Sequence, residues 1–166
     1  MDASAPEDYT IYLQNTDARN DNVVFGDTAP TSTVFSFNTG TDDQNYISYC
    51  FTEKKGFSKF GSYTGNGNAN GFVYTGFKPA FVITKRTDAA GGWGLNDNKR
   101  PNYNPENLYL LANDTQAEAS DGSWTMDFLS NGWKARYNNG NFNASGGSYI
   151  YMAFAENPFV ANDSGT

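Results

Sequence analysis

The sequence predicts an all-β protein, an antiparallel jelly-roll or concanavalin-like β-sandwich with almost no helix. Short apolar runs alternate at the two-residue period of a strand, and no window sustains a 3.6-residue apolar period. Aromatic residues make up 16% of the chain, with 13 Phe and 11 Tyr, and such side chains suit a pleated, half-buried surface. The 17 glycines, with many Asn, Asp, Ser and Thr, supply the turns that short strands need.

A duplication organises these strands. Residues 46–53 return as residues 149–156, with Tyr46, Ile47, Phe51 and Glu53 matched by Tyr149, Ile150, Phe154 and Glu156. Self-similarity at long spacing marks repeated architecture. In each copy Ile47, Tyr49 and Phe51, or Ile150, Met152 and Phe154, share one side. The other side is mostly small, as suits an inner strand that a second layer approaches closely. Both copies are expected to lie in one shared sandwich core.

Taken in order, strands are expected at 9–13, 23–25, 34–37 and 46–53. A central segment adds three more, within 57–67, 72–77 and 79–86. Gly65-Asn66-Gly67 has the positive-φ tolerance of a turn, and Phe81-Val82-Ile83 is the continuous apolar run of a buried strand. A short strand centred on Trp93 follows, inside a polar tract from Asp88 to Pro105. Strands at 108–111, 124–129, 133–137 and 149–156 complete the chain. Ile11-Tyr12-Leu13 resembles Leu108-Tyr109-Leu110, so residues 8–53 read as the back half of a repeat and 57–159 as a complete one. With 166 residues a single core is the default, giving one domain over 8–160, flanked by polar tails at 1–7 and 161–166 expected to fray or dock on a neighbour.

The net charge of −7 argues against a nucleic-acid partner, which needs clustered Lys and Arg. The only basic concentrations are the pairs Lys54-Lys55, Lys85-Arg86 and Lys99-Arg100, and such pairs are ordinary on a solvated surface. With no His, the commonest acid/base and zinc-ligating side chain is missing. The single Cys excludes an internal disulfide, and its repeat counterpart Ala153 makes Cys50 an expected small buried filler. No apolar run of 18 residues and no basic-plus-apolar leader is present, so neither a membrane span nor a membrane partner is expected.

Several ordered motifs carry a family resemblance over residues 46–159. They are Phe60-Gly61-Ser62-Tyr63-Thr64-Gly65-Asn66-Gly67, Tyr74-Thr75-Gly76-Phe77-Lys78-Pro79-Ala80-Phe81-Val82, Lys85-Arg86-Thr87-Asp88, Asp127-Phe128-Leu129-Ser130-Asn131-Gly132, and residues 149–159 ending in Glu156-Asn157-Pro158-Phe159. Together they resemble a repeat of marine tailed-bacteriophage structural proteins, a lectin-like sandwich domain of tail fibres and capsid-associated proteins. The resemblance implies a non-enzymatic virion structural protein on the capsid or tail surface, present in many copies, touching other virion proteins and environmental or cell-surface glycan. It carries no catalytic residue over. The chain starts with Met1 and half a repeat, which favours a free-standing capsid decoration over a fibre segment.

Chemistry in the sequence is sparse. A sandwich glycoside hydrolase needs two carboxylates about 5–9.5 Å apart across a cleft. The five Glu, at 7, 53, 106, 118 and 156, form no closely spaced pair, and the equivalent Glu53 and Glu156 read as strand-end residues. A carbohydrate-binding module needs an aromatic platform beside hydrogen-bonding groups. Trp93, Asp97, Arg100 and Tyr103 offer that set within one tract, although Trp93 in the core and an Arg100–Asp97 surface pair is the preferred reading of the same residues. Trp124, Trp133, Phe128 and Leu129 are expected in the core. The Asn- and Asp-rich stretch 17–22 lacks the ordered spacing of a calcium loop and reads as turn. No cofactor and no metal ligand is assigned.

Overall fold

The computed structural model describes residues 9–38, 45–101 and 103–158. The two predicted tails fall outside the described residues. Among the described residues the regular elements are strands and one 3-10 turn at Val23–Phe25, so the protein is all-β with antiparallel sheets. The strands are β1 (Tyr9–Thr10), β2 (Asn20–Asp21), β3 (Ser58–Thr64), β4 (Phe72–Tyr74), β5 (Pro79–Arg86), β6 (Trp93–Asp97), β7 (Leu110–Leu111), β8 (Met126–Leu129), β9 (Gly132–Ala135) and β10 (Ser148–Ala155).

Two sheets pack face to face. The larger has the order β3-β10-β5-β6-β7 and the smaller β4-β9-β8, while β1 and β2 form a separate ribbon. β10 is central because its alternation serves both faces. Tyr149, Tyr151 and Ala153 are buried against the second sheet, and they stand beside Tyr63 and Gly61 of β3 and beside Thr84 and Val82 of β5. Ile150, Met152 and Phe154 point to the opposite, outer face and are only half-buried.

The core forms where Val82, Tyr151 and Ala153 meet Val73, Met126, Phe128, Trp133 and Ala135. Trp133 is fully buried and lies edge-on to Tyr63 at 5.0 Å and stacked on Phe142 at 5.5 Å. Such ring geometry adds to area burial. Trp124 and Phe128 are core residues as the sequence predicts, and Leu129 is half-buried. Trp124 lies against Gly94 of β6, where any Cβ would collide with its indole. The expected turn after β3 is present, with Gly67 at φ +67°.

The first fifty residues depart from expectation. Residues 23–25 make the 3-10 turn, and neither 34–37 nor 46–53 forms a strand. Ile47 is 82% exposed and Tyr49 81%, so the first copy of the octapeptide does not share the core. The physical reason is the turn that follows: Lys54 and Ser58 exchange backbone hydrogen bonds, and that register continued along β3 would turn Tyr49 and Phe51 into the filled core beside Tyr63 and Gly61. Cys50, expected to be buried, is exposed for the same reason.

Residues 12–17 and 51–57 instead lie against the outer face of the larger sheet. At one end, buried Lys85 donates from Nζ to the carbonyls of Asp17 (2.7 Å), Arg86 (2.7 Å) and Thr16 (3.3 Å). Three carbonyl acceptors offset much of the cost of burying that ammonium. At the other end, Phe51 and Phe57 pack on Phe154, and Phe51 also meets Phe60, at ring separations of 6.2–6.5 Å.

Candidate functional site

The four residues proposed for glycan contact start from β6, where Trp93 and Asp97 lie on the outer face. Trp93 is 8% exposed, and its indole N–H donates to the Tyr12 carbonyl at 2.9 Å. Residues 9–17 therefore cover the ring that would have been the stacking platform. Asp97 accepts from Arg100 Nε at 2.7 Å and from the backbone N–H groups of Lys99 and Arg100. Burial pushes the Asp97 carboxyl up, but these donors outweigh it and leave its pKa below the usual value. Arg100 also donates to the Leu95 carbonyl and lies 3.6 Å from Glu118. Tyr103 is 77% exposed on the following loop. The structure thus joins Asp97 to Arg100 in an internal ion pair and supplies no exposed face on Trp93.

Sequence reasoning missed a buried polar group at the end of the sandwich. Asn96 faces inward from β6 and is fully buried; its Nδ2 donates to the carbonyls of Trp124 (3.0 Å), Leu108 (3.2 Å) and Glu106 (3.4 Å). That amide fixes Glu106, whose backbone N–H donates to the Met126 carbonyl at 2.7 Å. The Glu106 side chain is 3% exposed, and its Oε2 has no hydrogen-bond partner among the described residues. Burial first, then the like charge of Asp97, pushes its pKa up to about 7, with Asp127 and Glu156 adding and Lys78 opposing. A carboxyl that keeps its proton near neutrality has the acid strength of a general acid. It lines neither of the two cavities described below. Nothing in the residue pattern marks Glu106 as buried, because it follows Pro105 in a polar tract.

Glu156, expected as a strand-end residue, accepts from Lys78 at 2.9 Å and from Asn98 Nδ2 at 2.7 Å. Its repeat counterpart Glu53 meets Lys59 at 3.3 Å and accepts from the Phe60 N–H at 3.2 Å. Within the Asn- and Asp-rich stretch, Asn15 and Asp17 bond each other, and Asn22 donates to the Tyr12 hydroxyl. Among the described residues no group of three His, Cys, Asp or Glu could hold a metal ion.

A small cavity of about 280 Å³ lies between β3, β10 and the end of β5, lined by Ser62, Thr64, Thr87 and Ser148 with Tyr63, Tyr149 and Ile150. The two tyrosine hydroxyls there are committed to carbonyls, Tyr63 to that of Phe142 at 2.7 Å and Tyr149 to that of Gly140 at 2.8 Å. Burial pushes both phenols above their ordinary pKa.

A further surface is apolar and includes part of the first copy of the octapeptide. A groove of about 880 Å³ runs between residues 25–37 and residues 48–52. Beside it Val34 is 64% exposed, Ile47 82%, Tyr49 81% and Phe51 62%. Contiguous exposed apolar side chains on this scale mark contact surfaces more often than accident. The alternation of residues 46–53 signalled these side chains, but as core rather than as surface.

No curated protein and no solved structure matches the chain. A family model matches residues 2–158, a span that takes in both sheets, the covering residues and the exposed apolar segment. The chain therefore belongs to the family described as Domain of unknown function (DUF7483).

Proposed function

We propose that the protein is a non-enzymatic structural subunit of a bacteriophage virion, a capsid decoration or tail-associated protein that works through protein contacts. The observation that carries this reading is the exposed apolar surface of residues 34–37 and 47–51 beside its groove. A chain of net charge −7 is kept apart from its like by repulsion, so an uncharged apolar patch is where contact costs least. The resemblance of residues 46–159 to phage structural repeats points the same way. Many copies, each held weakly, would give attachment through avidity.

The glycan reading has less support, since its platform Trp93 is covered. Among the described residues Glu106 is the one carboxyl with acid-catalyst character, but its burial argues for a structural proton rather than a reacting one. Mass spectrometry of purified particles tests the proposal. The chain should be present at high copy number, and Ile47→Asp should deplete it from particles. Absence of the chain from particles would refute the reading.

A further inference from the structure

The first copy of the octapeptide is a strand sequence without a sheet. Its second copy, as β10, pairs antiparallel with β3 on one side and with β5 on the other. Ile47, Phe51 and Glu53 repeat Ile150, Phe154 and Glu156. Yet residues 47–51 make no backbone hydrogen bond with any described residue.

An open edge close by in the chain is that of β3, which among the described residues has β10 as its sole strand partner. The bonds Gly65 N–H to Gly147 and Ala155 N–H to Phe57 place the ladder to β10 at odd-numbered residues of this segment. The N–H and C=O groups of Ser62 and Thr64 therefore point to the open side.

The chain's own tether keeps residues 47–52 off that edge. Lys54 and Ser58 exchange backbone bonds of 3.1 and 2.9 Å, which fixes a hairpin register with Thr52 opposite Phe60 and Cys50 opposite Ser62. Continued, that register would set Phe51 and Tyr49 on the side of Gly61 and Tyr63. This side is the core, where Tyr151 lies 3.0 Å from the position of a Cβ on Gly61. A one-residue slip exchanges the faces of a strand, and the tether forbids the slip. The hairpin accordingly stops, with Phe51 turned onto Phe60 and Phe154 and the Glu53 carboxylate bound to the Phe60 N–H.

We infer that residues 47–52 pair as an added strand with the β3 edge of a second copy of this chain. Freed from the turn, the segment takes the register in which Ile47, Tyr49 and Phe51 face outward. Ile150, Met152 and Phe154 already do so opposite Ser62, Phe60 and Ser58, so the added strand extends the same apolar face. A reciprocal exchange closes the pair as a two-fold dimer, and each departing segment takes Glu53 with it and uncovers Phe60. Residues 45–52 contain no Asp, Glu, Lys or Arg, so the seam joins two anionic chains without opposing like charges. Backbone pairing of an extended segment with an open edge supplies affinity, and alternate side chains supply register.

This inference rests on the proposed association role and names its partner. Light scattering during size-exclusion of the full chain is the test, for the native sequence, Tyr49→Pro and Ile47→Asp. The native chain should form a concentration-dependent dimer. Tyr49→Pro removes an N–H and bends the added strand, and should weaken the dimer at least tenfold with the melting temperature unchanged. Hydrogen exchange at Ser62 and Thr64 should be slow in the native dimer and fast in Tyr49→Pro. A native chain that stays monomeric at every concentration overturns the inference, even if it enters particles, where another protein would then be its partner. Dimers that survive Tyr49→Pro but not Ile47→Asp also overturn it, because association would then act through side chains alone, and the proposed function would stand.

Discussion

The two copies of the octapeptide share a pattern and meet opposite fates. Residues 149–156 lie mostly in β10, hydrogen-bonded on both sides, with Tyr149 1% exposed and Ala153 fully buried. Residues 46–53 run outside every sheet, with Tyr46 50% and Ile47 82% exposed. Local propensity is nearly the same in the two, so the difference lies in whether the chain's own turns let each reach a sheet edge in register. A strand is stabilised by its neighbours as much as by its own residues.

Matched substitutions sharpen that contrast. Tyr149→Ala should cost about 3–5 kcal/mol, the usual range for a buried ring. It removes a stack on Tyr63 at 4.9 Å and strands the Ala144 N–H, which donates to its hydroxyl. Tyr46→Ala should cost under about 1 kcal/mol in the monomer. Urea denaturation of both variants at low concentration checks the pair, and equal losses would break the comparison.

The next effect concerns Glu106, whose carboxyl feels the charge of Glu156 just past the end of β10. Its folded pKa, about 7, stands above the usual 4.5. A raised carboxyl contributes its stability in full below the unfolded pKa and loses it as pH rises through the folded one. Between about pH 4.5 and pH 7 and beyond, this group alone should cost up to roughly 3 kcal/mol. Glu106→Gln should flatten the melting temperature across that window and raise it at pH 8, as a thermal scan at several pH values would read.

The smallest effect compares the strand-end carboxylates. Glu156→Ala loses Lys78 and Asn98 as partners and should cost about 1 kcal/mol. Glu53→Ala loses an exposed pair with Lys59 and should change monomer stability by less than about 0.5 kcal/mol. Chemical denaturation resolves the first and should barely register the second.

Much of the fold was legible from Phe57 onward. The central segment was expected to supply three strands and does so as β3, β4 and β5, and the Trp93 strand forms as β6. There, alternation, Gly-rich turns and available partners agree. Before residue 57 the same signals misled, because periodicity reports which side chains want burial and not whether the turn that follows allows the register a sheet edge needs. Of the two readings the sequence offered for Trp93, platform or packed ring, its burial agrees with the second, although the Tyr12 carbonyl that accepts its indole N–H is announced by no side-chain pattern. Lys85 was read as half of a surface basic pair and is buried, since its acceptors are likewise backbone carbonyls.

Amide hydrogen exchange across the two copies, at a dilution where the protein is monomeric, tests the central claim most directly. The account predicts that amides of residues 149–155 exchange only on global unfolding, while those of residues 47–51 exchange at close to the free-peptide rate. Comparable protection of the two copies in the monomer would contradict it, because the first copy would then hold a place in the sheet.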